Sequence, residues 1–386
     1  MDPVAGFTST GSKRPDALFG GAEPGLPARM VRSSGCRVWD AEGREYLDCI
    51  MALGAVALGY GHPEVTRAAT AAVESGVVGP LPPVLEEEVA AELCRLIPWV
   101  EQVRFLKTGA EAVAAAVRLA RTFTGRDRVL GCGYHGWLDW CQAADSPGVP
   151  ASTGALFEEL PFNDPERTRQ LIRTTGDRLA AVVFEPVVLR EPDADWLGVL
   201  REETRRTGAL LVVDEIKTVC RVALGGGSER YGIRPDLVVL GKALANGFPL
   251  AAVGGRADVM AGVSRTWISS TLATEWVALA AARATLAVVV EQRVPAHLGR
   301  VGARLLAGLA NLARRHSSLL AGVQGIPEMC SLAFRSDAAS RAVAAAAARR
   351  GLLFKRSPYN FVSLAHDEAA VDRVVDLLDD ACAASP

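Results

Sequence analysis

The sequence predicts an α/β fold: a large domain with a mostly parallel central sheet covered by helices, plus a small α+β domain built from both chain ends. Two observations carry this. Short apolar runs at 128–132, 180–185, 209–214, 236–240 and 250–254 are rich in Val and Leu and bounded by turn residues, and helical patterns at 110–123, 164–176 and 196–207 stand before or between them. Strands that read as continuous apolar runs and alternate with helices belong to a sheet buried on both faces. The two ends of the chain break that alternation, with a hairpin near the start and a strand-like stretch followed by a helix at the finish.

In order along the chain, residues 1–30 are rich in Gly, Pro and Ser without periodicity and read as a mobile arm. Arg37-Val38-Trp39-Asp40 and Glu45-Tyr46-Leu47-Asp48 flank the Gly43-containing segment 41–44, a hairpin signal. Helical patterns at 63–76 and 84–97 are separated by the Pro-rich segment 79–83. The α/β alternation follows. From about 276 the pattern becomes helical and Ala-rich, then a strand-like stretch at 351–364 and an amphipathic helix at 368–381 complete the chain. The expected organisation is an arm and part of the small domain at 1–60, the large domain at 61–275, and a linking helix with the rest of the small domain at 276–386.

Composition narrows the function classes. The 386 residues are 49% apolar and 22% charged, with a net charge of −2. Such a chain has ample core for two domains and is not disordered. Near-neutral charge argues against nucleic acid or an anionic membrane as the main partner. No apolar run reaches the eighteen residues a membrane span needs, and the polar N-terminus lacks the apolar core of a signal peptide. The eight Cys are scattered without a C-x-x-C pair and the five His are dispersed, so the thiols read as reduced residues of a cytoplasmic protein and no metal site is expected. Of the 42 basic residues only five are lysines: Lys13, Lys107, Lys217, Lys242 and Lys355. Lysine chemistry therefore has few candidates.

Open parallel sheets place ligands beyond the carboxyl ends of their strands. Following the predicted strands at that edge are Asp214-Glu215, Gly241-Lys242, Glu185-Pro186 and Cys132-Gly133-Tyr134-His135-Gly136, while Thr108-Gly109-Ala110 opens a helix. Each has an ordinary structural explanation alone: an Asp at a strand end caps a turn, and a Lys in a Gly-rich loop is solvated. Together they describe one chemistry. A lysine amine forms a Schiff base with an aldehyde, a carboxylate holds a pyridine nitrogen protonated, an aromatic covers the ring, and a helix N-terminus binds phosphate. That is a pyridoxal phosphate site.

The same segments resemble the class III aminotransferase family of fold-type I pyridoxal phosphate enzymes, and most of all its glutamate-1-semialdehyde 2,1-aminomutase branch. The resemblance runs from about residue 30 to 380. It rests on FLKTGAEAVAAAVRLARTFTGRDRVLGCGYHGWLD (phosphate-loop helix and Tyr-His-Gly turn), VVDEIKTVCR (Asp-Glu block) and PDLVVLGKALANGFPLAAVGG (lysine block, the most specific). YNFVSLAHDEAAVDRVVDLL and VWDAEGREYLDCIMALGAVALGYGHPEV extend it to both ends.

The resemblance implies residue roles. Lys242 is the Schiff-base lysine and proton shuttle, and Asp214 pairs with the pyridine nitrogen. Ile216 and Tyr134 pack on the two ring faces, with His135 in the same turn as Tyr134. Thr108, Gly109 and Ala110 cup the phosphate, and Glu185 is a structural or positioning carboxylate. Thr271 matches a threonine that reaches the phosphate of a neighbouring subunit, which implies a homodimer with shared active sites. Departures from the family pattern are Ala110 in place of a hydroxyl residue, Val219-Cys220 in place of Gly-aromatic, and Thr274-Glu275-Trp276 in place of Gly-Asn-Pro. Where the family places Gln or Asn on the ring hydroxyl, this chain has Lys217 or Arg190; one of these cations contacts that hydroxyl, or both are solvated.

For a substrate carboxylate the candidates are Arg356, Arg32 and Arg29. Trp137 and Trp276 are candidates for an apolar substrate wall or for plain packing. The leading functional expectation is an aminotransferase moving an amino group between an amino donor and a keto acid or aldehyde. The alternatives are an aminomutase, a racemase, epimerase or decarboxylase on the same scaffold, and a non-catalytic protein that kept the fold.

Overall fold

In the computed structural model, which describes residues 3–385, the chain forms two units, Glu64–Gln292 and a second made of Met1–Pro63 with Arg293–Pro386. The helix Trp276–Glu291 falls in the first unit, not with the C-terminal segment as the sequence reading grouped it.

The unit Glu64–Gln292 is built on a seven-stranded sheet. Its order is Gln102–Leu106, Ala251–Gly255, Leu237–Leu240, Leu210–Asp214, Leu179–Phe184, Arg128–Cys132 and Phe157–Glu159. The last five are mutually parallel, and Ala251–Gly255 runs antiparallel to both of its neighbours. The expected apolar runs are these central strands, fully buried along Leu179–Phe184 and Leu210–Asp214. Two strands went unread in the sequence, Gln102–Leu106 and Phe157–Glu159. Register levels the carboxyl ends: Cys132 pairs with Phe184, Phe184 with Val213, and Asp214 with Val239. The residues that follow those ends must therefore meet at one edge.

The helix Gly109–Thr124 packs its Ala112, Val113, Ala116, Val117 and Ala120 against Val183, Val212, Val239 and Val253 of the sheet. Small side chains at helical spacing bring the helix close to the β-branched surface. Its start is fixed by a capping box in which the Thr108 side chain accepts from Glu111 N and the Glu111 carboxylate accepts from Thr108 N. Gly125, at φ +69°, ends it.

In the other unit, both chain ends share one sheet. Met30–Ser34, Arg37–Asp40 and Glu45–Asp48 are antiparallel, and Leu352–Leu353 joins in parallel with Leu352 opposite Leu47. A second sheet combines Leu320–Ile326, Met329–Phe334 and Asn360–Phe361. The stretch expected to be a mobile arm contains the helix Pro15–Phe19, and buried Phe19 and Leu26 pack with Ala344, Ala345 and Ala348. Burial of those two side chains anchors a segment whose composition alone reads as loop.

Candidate active site

The carboxyl edge of the parallel strands assembles most of the chemistry-bearing residues. Asp214 ends its strand buried. One carboxylate oxygen accepts from Ile216 N (3.1 Å), and the other lies 2.9 Å from His135 Nδ1, with both side chains 1% exposed. A buried carboxylate needs such hydrogen-bond partners. His135 reaches it from the turn after Cys132 and stacks on Trp140, ring centroids 6.2 Å apart. Two glycines shape that turn. Gly133, at φ +107°, has the Glu185 carboxylate where a side chain would begin, and a Cβ on Gly136, at φ +103°, would stand 2.6 Å from Ala110 Cβ. The turn therefore lies directly against the start of the helix Gly109–Thr124.

At that start the capping box occupies the N–H groups of Thr108 and Glu111. Helix geometry leaves the first-turn N–H groups of Gly109 and Ala110 without an intrahelical carbonyl. Two amides at a positive helix end form an anion cradle. Ile216 lies beneath it: a Cβ on Gly109 would be 2.5 Å from Ile216 Cδ1, and one on Gly241 would be 3.5 Å from Ile216 Cγ1. The aliphatic side chain thus connects the anion cradle to the turn that carries Lys242.

Lys242 begins a short 3-10 turn three residues beyond Val239 and has φ +45°, in the left-handed region. A non-Gly residue held there costs about 1–3 kcal/mol and is characteristic of functional positions. Burial and the nearby Lys217 ammonium pull its amine below the ordinary lysine range, opposed by Glu185 and Asp214. The bias is toward the neutral, nucleophilic amine. Glu185 sits one residue past its strand, accepts from Tyr134 N (3.0 Å) and forms a 2.8 Å ion pair with Lys217 Nζ. Tyr134 itself is 70% exposed.

Lys217 is partly buried in that ion pair, whereas Arg190 is exposed. Glu275 caps the helix Trp276–Glu291 by accepting from Val277 N and Ala278 N, and it pairs with Lys107 at 2.7 Å. It supplies the capping oxygen within the segment where the family has Gly-Asn-Pro. Trp276 donates its backbone N–H to Val77 O and packs near Gly76 and Gly79. Trp137 and Thr271 are exposed. In the other unit, Arg356 bonds Asp337, Ser340 and Asp16 O, and Arg32 stacks on Trp39 at 4.6 Å.

Sequence reasoning did not foresee two features. The His135–Asp214 and Lys217–Glu185 contacts join residues 79 and 32 positions apart. Only strand register, which no local pattern encodes, places them together. The fully buried Glu215 carboxylate was also missed as a structural element. It accepts from Gly227 N (2.7 Å), Ser228 N (2.6 Å) and the Thr218 hydroxyl, and burial pushes its carboxyl above the usual range.

Residues 21–380 match the family described as aminotransferase class-III. The chain belongs to the class-III aminotransferase family. Among curated relatives of this aminotransferase, a glutamate-1-semialdehyde 2,1-aminomutase from Thermomicrobium roseum is 37% identical, the match covering 91% of this chain and 89% of that protein. Among solved structures, the FumI protein of Sphingopyxis sp. MTA144 in a pyridoxal phosphate form has TM-score 0.90 at 28% identity, covering 96% of this chain and 91% of that one. A β-phenylalanine aminotransferase from Variovorax paradoxus has TM-score 0.83 at 29% identity, covering 93% and 89%. This class-III chain has the fold-type I architecture and is a pyridoxal 5'-phosphate-dependent enzyme. Its own residues fit that cofactor: a buried carboxylate for the ring nitrogen, a helix start for the phosphate, an aliphatic surface for the ring, and a lysine of lowered pKa for the aldehyde. Among the described residues no helix is long and apolar enough to cross a membrane, and no cluster of His, Cys, Asp and Glu is placed to hold a metal ion.

Proposed function

We propose that this chain is an aminotransferase that moves an amino group between a small amino donor and a keto acid or aldehyde, with Lys242 as its reactive amine. The observation that carries the reading is the levelled edge itself. Asp214 and Val239 are in register, so the buried carboxylate and the turn bearing Lys242 stand side by side. When bound, pyridoxal phosphate supplies an aldehyde that takes up amines and a ring that accepts the electron pair left at the substrate carbon.

The chain's residues do the rest. Asp214 holds the proton on the ring nitrogen, and His135 fixes the carboxylate's orientation. The N–H groups of Gly109 and Ala110 bind the phosphate, with Thr108 closing the helix end behind them. Ile216 presents its aliphatic surface to one ring face and Tyr134 covers the other. Lys242, biased toward its neutral form, accepts a proton from the substrate carbon and returns it in the product. Arg356 and Arg32 remain the candidates for a substrate carboxylate.

The reading includes a homodimer in which Thr271 reaches the partner's phosphate. Exposed Trp267 (90%) and Leu272 (53%), both within four residues of Thr271, support it, because a concentration of exposed large apolar side chains suits a partner surface. Eight free cysteines fit a reducing, cytoplasmic location.

The names of the curated relatives favour a second reading, an aminomutase that carries out both half-reactions on one retained molecule. One experiment separates the two. Amino donors are added to the holoenzyme without an acceptor while the visible band and the released carbonyl product are followed. Loss of the band with one equivalent of keto acid or aldehyde supports the aminotransferase. A persisting band with an isomer whose amine has moved supports the aminomutase. A persisting band with a racemised or decarboxylated donor overturns both.

A further inference from the structure

Lys217 and Lys242 occupy equivalent places beyond the ends of neighbouring parallel strands. Asp214 and Val239 are an in-register pair, and each lysine stands three residues beyond its member of that pair. Glu185 follows Phe184, which is in register with Val213 on the other side of the same strand. The carboxylate of Glu185 is clamped by Tyr134 N at 3.0 Å and crowded by Gly133, so it is fixed, and Lys217 Nζ is fixed to it at 2.8 Å. The side chains are only 13% and 5% exposed. This pair differs from an exposed one, which would exert little influence through water. A buried charge acts through a lower effective dielectric on its neighbours.

We propose that Lys217 is a positioning residue for the reactive amine: held by Glu185 at the strand ends, it is a fixed positive charge that controls whether Lys242 Nζ keeps its proton. The inference rests on Lys242 being the cofactor-bearing lysine. After burial itself, Lys217 is the largest influence lowering the Lys242 amine, ahead of Glu185 and Asp214, which raise it, and Arg221, which lowers it. Asp214 acts on Lys242 while bonded to His135, and Arg221 adds to the lowering. In the helix Trp276–Glu291, which packs on the Lys242 turn, Glu275 is paired with Lys107, Arg283 with Glu88, and Glu291 is exposed at its last residue.

The consequence is a division of labour among the few lysines. One amine reacts, and a second, whose carboxylate partner cancels its charge at long range, acts only at short range on the first. A merely structural ion pair would stabilise the turn without moving the proton equilibrium at Lys242.

The test is a pH titration of the visible band of the holoenzyme, whose midpoint reports the proton at Lys242 Nζ. In Lys217→Gln, which keeps a hydrogen-bond donor for Glu185 but removes the charge, the midpoint rises by about one unit, a roughly tenfold gain in proton affinity. Lys217→Arg keeps the charge and keeps the midpoint within about a third of a unit of the parent. Adding Glu185→Gln to Lys217→Gln brings the midpoint back toward the parent, because the opposing charge is removed as well. Lys217→Met carries the same prediction as Lys217→Gln if the amide variant folds poorly. A parent-like midpoint in both Lys217→Gln and Lys217→Met overturns the proposal and leaves the function intact. A stoichiometric pyridoxyl-lysine adduct that still forms on borohydride reduction of Lys242→Ala overturns the underlying reading instead.

Discussion

His135 Nδ1 and Asp214 Oδ2 stand 2.9 Å apart, and neither side chain meets solvent. The imidazole is thus the only side chain given to that carboxylate oxygen among the described contacts, and the backbone of Ile216 holds the other. Replacing Asp214 by Asn keeps the shape and removes the charge. The expected result is a fall of about 10²–10³ in the rate of the donor half-reaction, the usual cost of losing one preorganised electrostatic partner, measured by stopped-flow at the visible band. His135→Phe keeps an aromatic against Trp140 but leaves Asp214 short of a partner. It is expected to cost about 1–3 kcal/mol in urea unfolding.

Gly109 and Ile216 form a tight contact at the helix start proposed to hold the phosphate. Gly109→Ala places a methyl carbon 2.5 Å from Ile216 Cδ1. Such overpacking costs about 1–3 kcal/mol. Cofactor affinity, measured by equilibrium dialysis, is expected to fall about tenfold or more. Ile216→Ala in the same chain makes room for the methyl, so the double variant is expected to bind better than Gly109→Ala alone. A double variant no better than the single would place the defect elsewhere.

The lowered Lys242 amine has a stability consequence with a definite sign. In the unfolded chain a lysine titrates near its ordinary 10.5, and in the native chain Lys242 titrates below that. Between the two values the unfolded state binds more protons, so native stability rises with pH; below the native value the penalty is complete, and above 10.5 it is gone. Cofactor-free Lys242→Met is therefore expected to be more stable than the parent at pH 7, with the difference disappearing as the pH passes 10.5. Urea unfolding of both proteins across that range measures it.

Arg356 is bound to Asp337 and Ser340 and also donates to Asp16 O in the helix Pro15–Phe19. It therefore ties the N-terminal helix down. In Arg356→Ala, limited proteolysis is expected to cut sooner within about the first twenty residues, where anchoring contacts are few. If Arg356 also binds the substrate carboxylate, KM for carboxylate donors rises while a donor amine without a carboxylate is unaffected.

The sequence announced the sheet wherever burial made the pattern continuous. Leu179–Phe184 and Leu210–Asp214 are buried on both faces, so every position before the closing Asp214 is apolar and the strands declare themselves. Gln102–Leu106 hid because Arg104 interrupts it, and the fold accommodates that residue by donating its guanidinium to Ile268 O. Phe157–Glu159 is a three-residue edge strand, too short for a period. Leu320–Ile326 was obscured by Gly322 and Gly325, whose positive φ values suit a bulged hairpin. At the site, Lys242 and Asp214 were legible from their motifs. The partners His135 and Lys217 acquire their places only when distant strands align.

The proposed function requires that one of the five lysines carry the cofactor. Reducing the holoenzyme with borohydride and mapping the pyridoxyl-bearing peptide by mass spectrometry tests it most directly. The expected product carries a single modified residue, Lys242, in the peptide spanning the segment after the Leu237–Leu240 strand. Modification of Lys217 in its place, or of any other lysine as the principal product, would contradict it.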